Sequence, residues 1–567
     1  MHPRPRENVL KNLLFMGAPL ISIFLIDSVV TDPVNAPKLF VLGIVSSGVA
    51  GSVIYGLNRV EIKRAKAPLI YLASFFILSI GTLFTSKAPI HQSLYGVYGR
   101  NNGLVAYIFF SLLFLGALFI SAQSTHLKLI HGLFIAGIVN VVYCGWVITF
   151  GDFLSWNNPY GNILGTFGNP NFIGAFLGMF FSAWLAFLLG PKPSKYFKVA
   201  SIFVLPFTAI EIYLSHAIQG RVLMAGGSVL VVFFWLLFKL KSKILLMGYV
   251  LVATFGAGLS LAGALQIGPL TKFIYKTSVS LRGQYWLSAW NTGQDNPLTG
   301  VGYDSLGDWY RRMRDPHALE LPGINTVINT AHNVPLDIFA FGGWPLFISY
   351  LALVLLTLWK VVRFSINMKS YDQTFIALAV SWICYQLQSI ISINQIGLGF
   401  WGWLLSGALL SYTQIGNQVE SEDLRDLKMS NARKIKSQEK VVGAGMFSGI
   451  AMVIGALIAV PPLASDMKWM SAQKSRDAVQ LELTLKSGYL NPQNMQKFFM
   501  TIDAFEQSNF TDLSHRYALE AVKFNPDSFD AWRLLSLLKK SSAEEKDLAL
   551  QNMRRLDPLN PTLKSAP

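Results

Sequence analysis

The stretch Leu104–Ile120 reads LVAYIFFSLLFLGALFI. It carries no charge, and its apolar residues fall on every side rather than on alternate positions. A strand of a membrane barrel would alternate polar and apolar residues over about ten positions. A continuous run of this kind is instead a helix that uses lipid as solvent. Apolar runs of this type recur along the chain about twelve to thirteen times, each suited to a hydrocarbon core of about 30 Å. They predict helices near 13–30, 39–57, 68–84, 104–121, 130–150, 171–189, 199–216, 222–238, 244–264, 336–359, 374–392, 398–413 and 441–461.

Composition agrees. Of 567 residues, 52% are hydrophobic and 14% charged, against roughly 25% charged in soluble domains. The net charge of +16 needs no nucleic acid to explain it. With the N-terminus inside, the inner segments include RVEIKRAK (59–66), PKPSKYFK (191–198), KLKSK (239–243) and the charged run 417–440. That bias sets a cytoplasmic N-terminus and an external C-terminal tail. The first apolar run follows Arg4, Arg6 and Lys11 and lacks a small-residue cleavage site, so a retained helix is expected rather than a signal peptide. Cys144 and Cys384 both fall inside expected helices, so no disulfide framework is expected.

The fold class is therefore an all-α polytopic membrane protein of about 12–13 transmembrane helices. Residues 1–264 form an N-terminal transmembrane bundle, 265–335 one large external loop and 336–413 further core helices. Residues 414–440 form a charged cytoplasmic linker, 441–461 the last transmembrane helix and 462–567 an external helical domain. In that last part a helix-then-proline pattern ending at Pro526 recurs at Pro558, a degenerate likeness to the tetratricopeptide repeat. Read as such a repeat or as a small helical bundle leaning on the membrane domain, residues 462–567 suit contact with another protein better than catalysis.

The polar groups with chemical potential gather in the external segments. Arg100 ends GVYGR (96–100), Arg221 lies in the turn HAIQGR (216–221), and Arg282 opens RGQYWLSAWNTGQDNPLTGVG (282–302). His332 and Asn333 close the loop in TAHN (330–333). Arg282, Trp286 and Ala289 share one face of an expected short interfacial helix over 281–292, with Trp286 and Trp290 at headgroup level. Guanidinium groups remain charged and grip phosphate oxygens in pairs. An imidazole near neutral pH accepts a proton from a hydroxyl or holds a phosphate oxygen. Glu211 is an ionisable group inside the seventh expected helix, and such groups are functional by default. No metal-ligand motif, P-loop or dinucleotide fingerprint is present, so neither metal nor cofactor is expected.

Four pieces together resemble the O-antigen ligase/polymerase superfamily of bacterial envelope glycosyltransferases. They are GVYGRNNGL (96–104), FGNPNFIGAFL (167–177), RGQYWLSAWNTGQDNPLTGVGYDSLGDWY (282–310) and AHNVPLDIFAFGGWPLF (331–347). The resemblance spans roughly 70–410. It implies a metal-independent, inverting transfer of glycan from an undecaprenyl-pyrophosphate carrier to a lipid, glycan or protein acceptor. The reaction would run at the outer face of the bacterial cytoplasmic membrane. The family's loop arginine falls on Arg282 and its loop histidine on His332. Arg221 is the nearest candidate for its second arginine, although HAIQGR departs from the usual pattern. Arg100 would assist in pyrophosphate binding, with Asn333, Trp286 and Glu211 in support. A transporter of an envelope precursor and a non-catalytic scaffold are the competing classes. Transporters concentrate polar groups at the midplane, whereas here they lie at the ends of the helices.

Overall fold

The computed structural model describes residues 5–156, 158–422 and 433–564. Among them every regular element is helical, apart from one isolated bridge between Gly488 and Asn491. The first part of the chain forms α1 (Pro5–Ile23), α2 (Asn35–Ile54), α3 (Lys66–Thr85), α4 (Leu104–Leu118) and α5 (Gln123–Phe150). There follow α6 (Pro170–Leu188), α7 (Lys195–Leu214), α8 (Ile218–Lys239) and α9 (Lys243–Ala264). The long connection holds α10 (Thr277–Asp295) and α11 (Leu306–Met313). Then come α12 (Val334–Asn367), α13 (Gln373–Ile391), α14 (Ile396–Glu422) and α15 (Arg433–Ser475). The C-terminal part forms α16 (Ala478–Leu485), α17 (Met495–Gln507), α18 (Thr511–Phe524), α19 (Phe529–Leu537) and α20 (Ala543–Leu556).

Ten helices among the described residues are long and apolar enough to cross a membrane, so the chain is a multi-pass membrane protein. They are α2, α3, α5 to α9, α12, α13 and the Val442–Ser475 part of α15. The other three expected spans coincide with α1, α4 and α14. The LVAYIFF stretch becomes α4, only 15 residues long. At 1.5 Å per residue that rises about 22 Å, short of a hydrocarbon core. Its setting explains this. All of its residues except Ile108, Leu112 and Leu115 are buried, and it packs between α2 and α14. An apolar surface on all sides is what a helix enclosed by protein needs.

Three boundaries differ from expectation. The first helix begins at Pro5 and stops at Ile23, not near 30. Its basic flank is already helical because Arg6 pairs with Glu61, and Glu7 accepts hydrogen bonds from Ser121 N at 3.0 Å and Ser121 Oγ at 2.7 Å. The last membrane helix does not stop near 461. It runs through Pro461 and Pro462 to Ser475 and carries the chain into the C-terminal domain. Of the charged linker expected over 414–440, residues 423–432 lie outside the described residues.

The α2–α15 contact ties these ends together. A Cβ on Gly43 would lie 2.7 Å from Gly455 O, and one on Gly51 would lie 2.8 Å from Ala451 Cβ. Bare glycine faces let two helix backbones approach closely, the usual device for helix packing in lipid. Beyond it, the C-terminal helices close on a core of their own, including Phe498, Ile502, Ala518, Trp532 and Leu556.

Candidate functional site

The two ends of the long connection are locked to each other through backbone. α12 is broken at Gly342 (φ −139°, ψ 16°) and Gly343 (φ 64°, ψ −163°). Such a break frees backbone carbonyls before it and N–H groups after it that have no helical partner. The segment NPLTGVG (296–302) supplies the partners. Val301 N donates to Ala340 O at 2.9 Å, Gly302 N to Phe341 O at 3.0 Å, and Trp344 N to Pro297 O at 2.8 Å. Gly300 stands where the two backbones meet. Its φ is 61°, and a Cβ there would lie 2.3 Å from Phe341 O and Gly342 N. No other residue type fits both the conformation and the approach.

This lock fixes what precedes α12. Asn333 caps the helix by accepting from Leu336 N at 3.0 Å, and Pro335 occupies the first turn. Asp337, one turn in, reaches back to accept from Ala331 N at 2.7 Å. Thr330 Oγ1 accepts from His332 N at 3.3 Å. Held on both sides, His332 adopts φ 53°, a left-handed conformation that histidine tolerates better than most residues but still at a cost. The result projects its ring toward α10, where it lies 5.7 Å from the ring of Tyr285, centroid to centroid.

Two guanidinium groups act on that ring. Burial first, then the charges of Arg100 and Arg282, push the His332 imidazole down to about 4. It is therefore neutral at physiological pH. Arg282 lies one turn before Tyr285 on α10, and its own burial pulls its pKa down. Arg100 arrives from the other side of the sequence. Its loop is held because Val97 N donates to Asp304 Oδ2 at 2.6 Å and Asn35 Nδ2 donates to Gly99 O at 2.7 Å. Asp304 is buried, which raises its pKa against the opposing effects of Arg100 and Val97 N–H. Among the described residues, Arg100, Arg221 and Arg282 form no ion pair, and Arg100 Nη1 is buried with no hydrogen-bond partner.

The other candidates are placed differently. Arg221, at the start of α8, lies with its guanidinium 5.9 Å from the Tyr213 ring. Its charge is not among those acting on His332. The link to the loop there is indirect, through Lys276 Nζ donating to His216 O at 3.0 Å. Glu211 is 2% exposed, with both carboxylate oxygens unpartnered. It faces Gly145 of α5, not Arg221. The interfacial helix expected over 281–292 extends over Thr277–Asp295. Trp286, expected at headgroup level, is half-buried. It turns inward and packs with Ala289, Leu306, Ala331 and Ala340. Trp290 remains 40% exposed, against Phe339 and Trp344.

Four residues of this constellation escaped sequence reasoning: Tyr285, Asp304, Tyr310 and Asp337. Asp337 had a legible signal, an acid in the first turn after an Asn cap. The other three carry no such signal: Tyr285 lies on α10, Tyr310 on α11 and Asp304 between them, and their neighbours come from the folding of the long connection. Among the described residues no group of three or more His, Cys, Asp or Glu side chains is arranged to hold a metal ion.

What fold and site define is a polytopic membrane protein with unpaired cationic groups around a neutral histidine, at one end of its helices. Residues 203–351 match a family model described as O-antigen ligase. The matched segment runs from α7 to the first half of α12, and it contains every candidate residue except Arg100. The match supports the O-antigen ligase superfamily and a glycan-transfer function on the membrane. No curated protein matches the chain.

Proposed function

We propose that the protein transfers glycan from an undecaprenyl-pyrophosphate carrier to an acceptor hydroxyl at the outer face of the bacterial cytoplasmic membrane. The observation that carries this reading is one cluster: Arg100 and Arg282, without carboxylate partners, act on a neutral His332. Two fixed guanidinium groups, neither in an ion pair among the described residues and one with a buried N–H still to be satisfied, form a receptor for a multiply charged anion. A lipid-linked pyrophosphate supplies that charge at the depth of helix ends. The chain's basic loops favour the orientation that places this cluster outside.

The reaction then follows from the parts. The acceptor hydroxyl attacks the anomeric carbon from the side opposite the pyrophosphate, which inverts the centre. The bond from that carbon to the phosphate oxygen breaks, and the pyrophosphate leaves with the electron pair. Arg282 and Arg100 stabilise the charge that develops on it, an electrostatic role worth several kcal/mol in a water-poor site. Neutral His332 takes the acceptor's proton. Binding of the anion also offsets the guanidinium charges next to the ring. His332 thereby becomes more basic when substrate is present than when it is absent. Arg221 would contact the carrier or glycan further from the reacting atoms. The cations supply the positive charge, so the mechanism needs no metal.

The test is direct. Membranes carrying Arg282→Ala or His332→Ala should hold normal amounts of protein yet leave glycan on its lipid carrier. The identity of the accumulated species also sorts ligase from polymerase, since intact polymer on the carrier marks the first and single repeats mark the second.

A further inference from the structure

α11 has two differently engaged faces. One meets the C-terminal domain. Arg314, just after the helix, places Nη2 at 2.7 and 2.9 Å from the two carboxylate oxygens of Asp557, and neither side chain is exposed. Arg311 reaches Asp557 at 3.3 Å while lying 4.2 Å over the Phe529 ring. Arg312 pairs with Asp527 at 3.1 Å. The other face meets the candidate site. Tyr310 is fully buried, with its ring 6.4 Å from that of Tyr285, which in turn lies against His332.

A buried ion pair adds little net stability over an apolar contact, but removing one partner strands a charge and is costly. Its use is to fix one register. Here it fixes the register of a helix that backs the site. Without the C-terminal domain three arginines on and after α11 would lose their acidic partners. Among the described residues, the hydrogen bonds then left at the end of α11 run from Asn291 Nδ2 to Met313 O at 3.1 Å, and from Arg311 and Arg314 to Ile324 O in the loop at 3.3 and 2.8 Å.

We propose that the C-terminal helical domain is a working part of the transferase: Asp557 holds α11 so that Tyr310 seats Tyr285 against His332. Asp557 and Tyr310 are positioning residues, acting through Tyr285. The inference rests on the transferase reading of His332.

The test uses the full-length reconstituted protein, with lipid-linked glycan extracted from a strain deleted for its gene. Asp557→Ala and Tyr310→Ala should each lower kcat/KM at pH 7 about tenfold or more, the effect of a small misplacement. Both should also move the acid limb of kcat/KM upward, because a loosened Tyr285 leaves His332 less buried. Tyr310→Phe should retain wild-type values, since the Tyr310 hydroxyl has no partner to lose. If Asp557→Ala does not reach the membrane, the Tyr310→Ala and Tyr310→Phe pair decides alone. Wild-type kcat/KM and an unmoved acid limb in either Asp557→Ala or Tyr310→Ala overturn the inference. His332→Ala separates the two levels. An inactive His332→Ala beside a fully active Tyr310→Ala leaves the transferase reading standing and removes this one. An active His332→Ala removes the transferase reading itself.

Discussion

Gly300→Ala probes the lock between the loop and the broken helix. Gly300 and Gly161 have nearly the same φ, 61° and 63°. They differ in what surrounds them. Nothing lies within 4 Å of a Cβ on Gly161, whereas one on Gly300 would lie 2.3 Å from backbone atoms of Phe341 and Gly342. Alanine at either position bears left-handed strain of roughly 1–2 kcal/mol. At Gly300 it also overpacks a contact between two backbones, which adds roughly 1–3 kcal/mol. The neighbour cannot yield cheaply, because Val301 and Gly302 are hydrogen-bonded to that same stretch of α12. The two variants should therefore differ by roughly 1–3 kcal/mol although the substitution is identical. Thermal unfolding midpoints of the detergent-solubilised proteins measure the difference. Glycan transfer at matched membrane abundance measures its consequence. Gly300→Ala should unfold at lower temperature than Gly161→Ala and lose most transfer, while Gly161→Ala retains it. Equal midpoints and equal transfer would refute the idea that backbone contact at Gly300 sets the site.

Three further outcomes are expected. The acid limb of kcat/KM should lie near 4, because neutral His332 is the active form and protonation stops it only as pH falls through that value. Arg100→Ala removes one of the charges that depress it and should shift the limb upward, whereas Arg221→Ala should leave it in place; a pH–rate series on the three proteins checks both. Asp337→Ala leaves Ala331 N–H buried without an acceptor, a cost of about 1–3 kcal/mol. It frees the backbone beside His332, so transfer should fall with protein abundance preserved, read by quantitative blotting alongside the glycan gel.

Much of the membrane fold was legible because hydropathy is a strong, local signal. Thirteen helices stand where continuous apolar runs stand. Their ends were less legible, since ends are set by partners. Arg6 and Glu7 are helical because residues as distant as Glu61 and Ser121 receive them. The residues that form the cluster could be named in part, because arginine and histidine beside apolar runs are chemically conspicuous. Tyr285 and Asp304 could not, for their contacts cross hundreds of positions or a loop whose path the sequence does not state. Trp286 shows the same limit in reverse. An indole at a membrane edge reads as an anchor, and here the fold turns it inward against Ala331 and Ala340. Among the described residues, Arg311, Arg312 and Arg314 have no acidic partner near them in sequence that meets them; the C-terminal domain brings Asp527 and Asp557 to them.

The central claim is that Arg282 and His332 act on one lipid-linked pyrophosphate. The measurement that tests it most directly is glycan transfer by purified, reconstituted Arg282→Ala and His332→Ala proteins. Each should be given lipid-linked glycan extracted from a strain deleted for the gene, with its native acceptor. Both variants should leave the glycan on its carrier while unfolding at the wild-type temperature. Wild-type transfer by either variant would contradict the account.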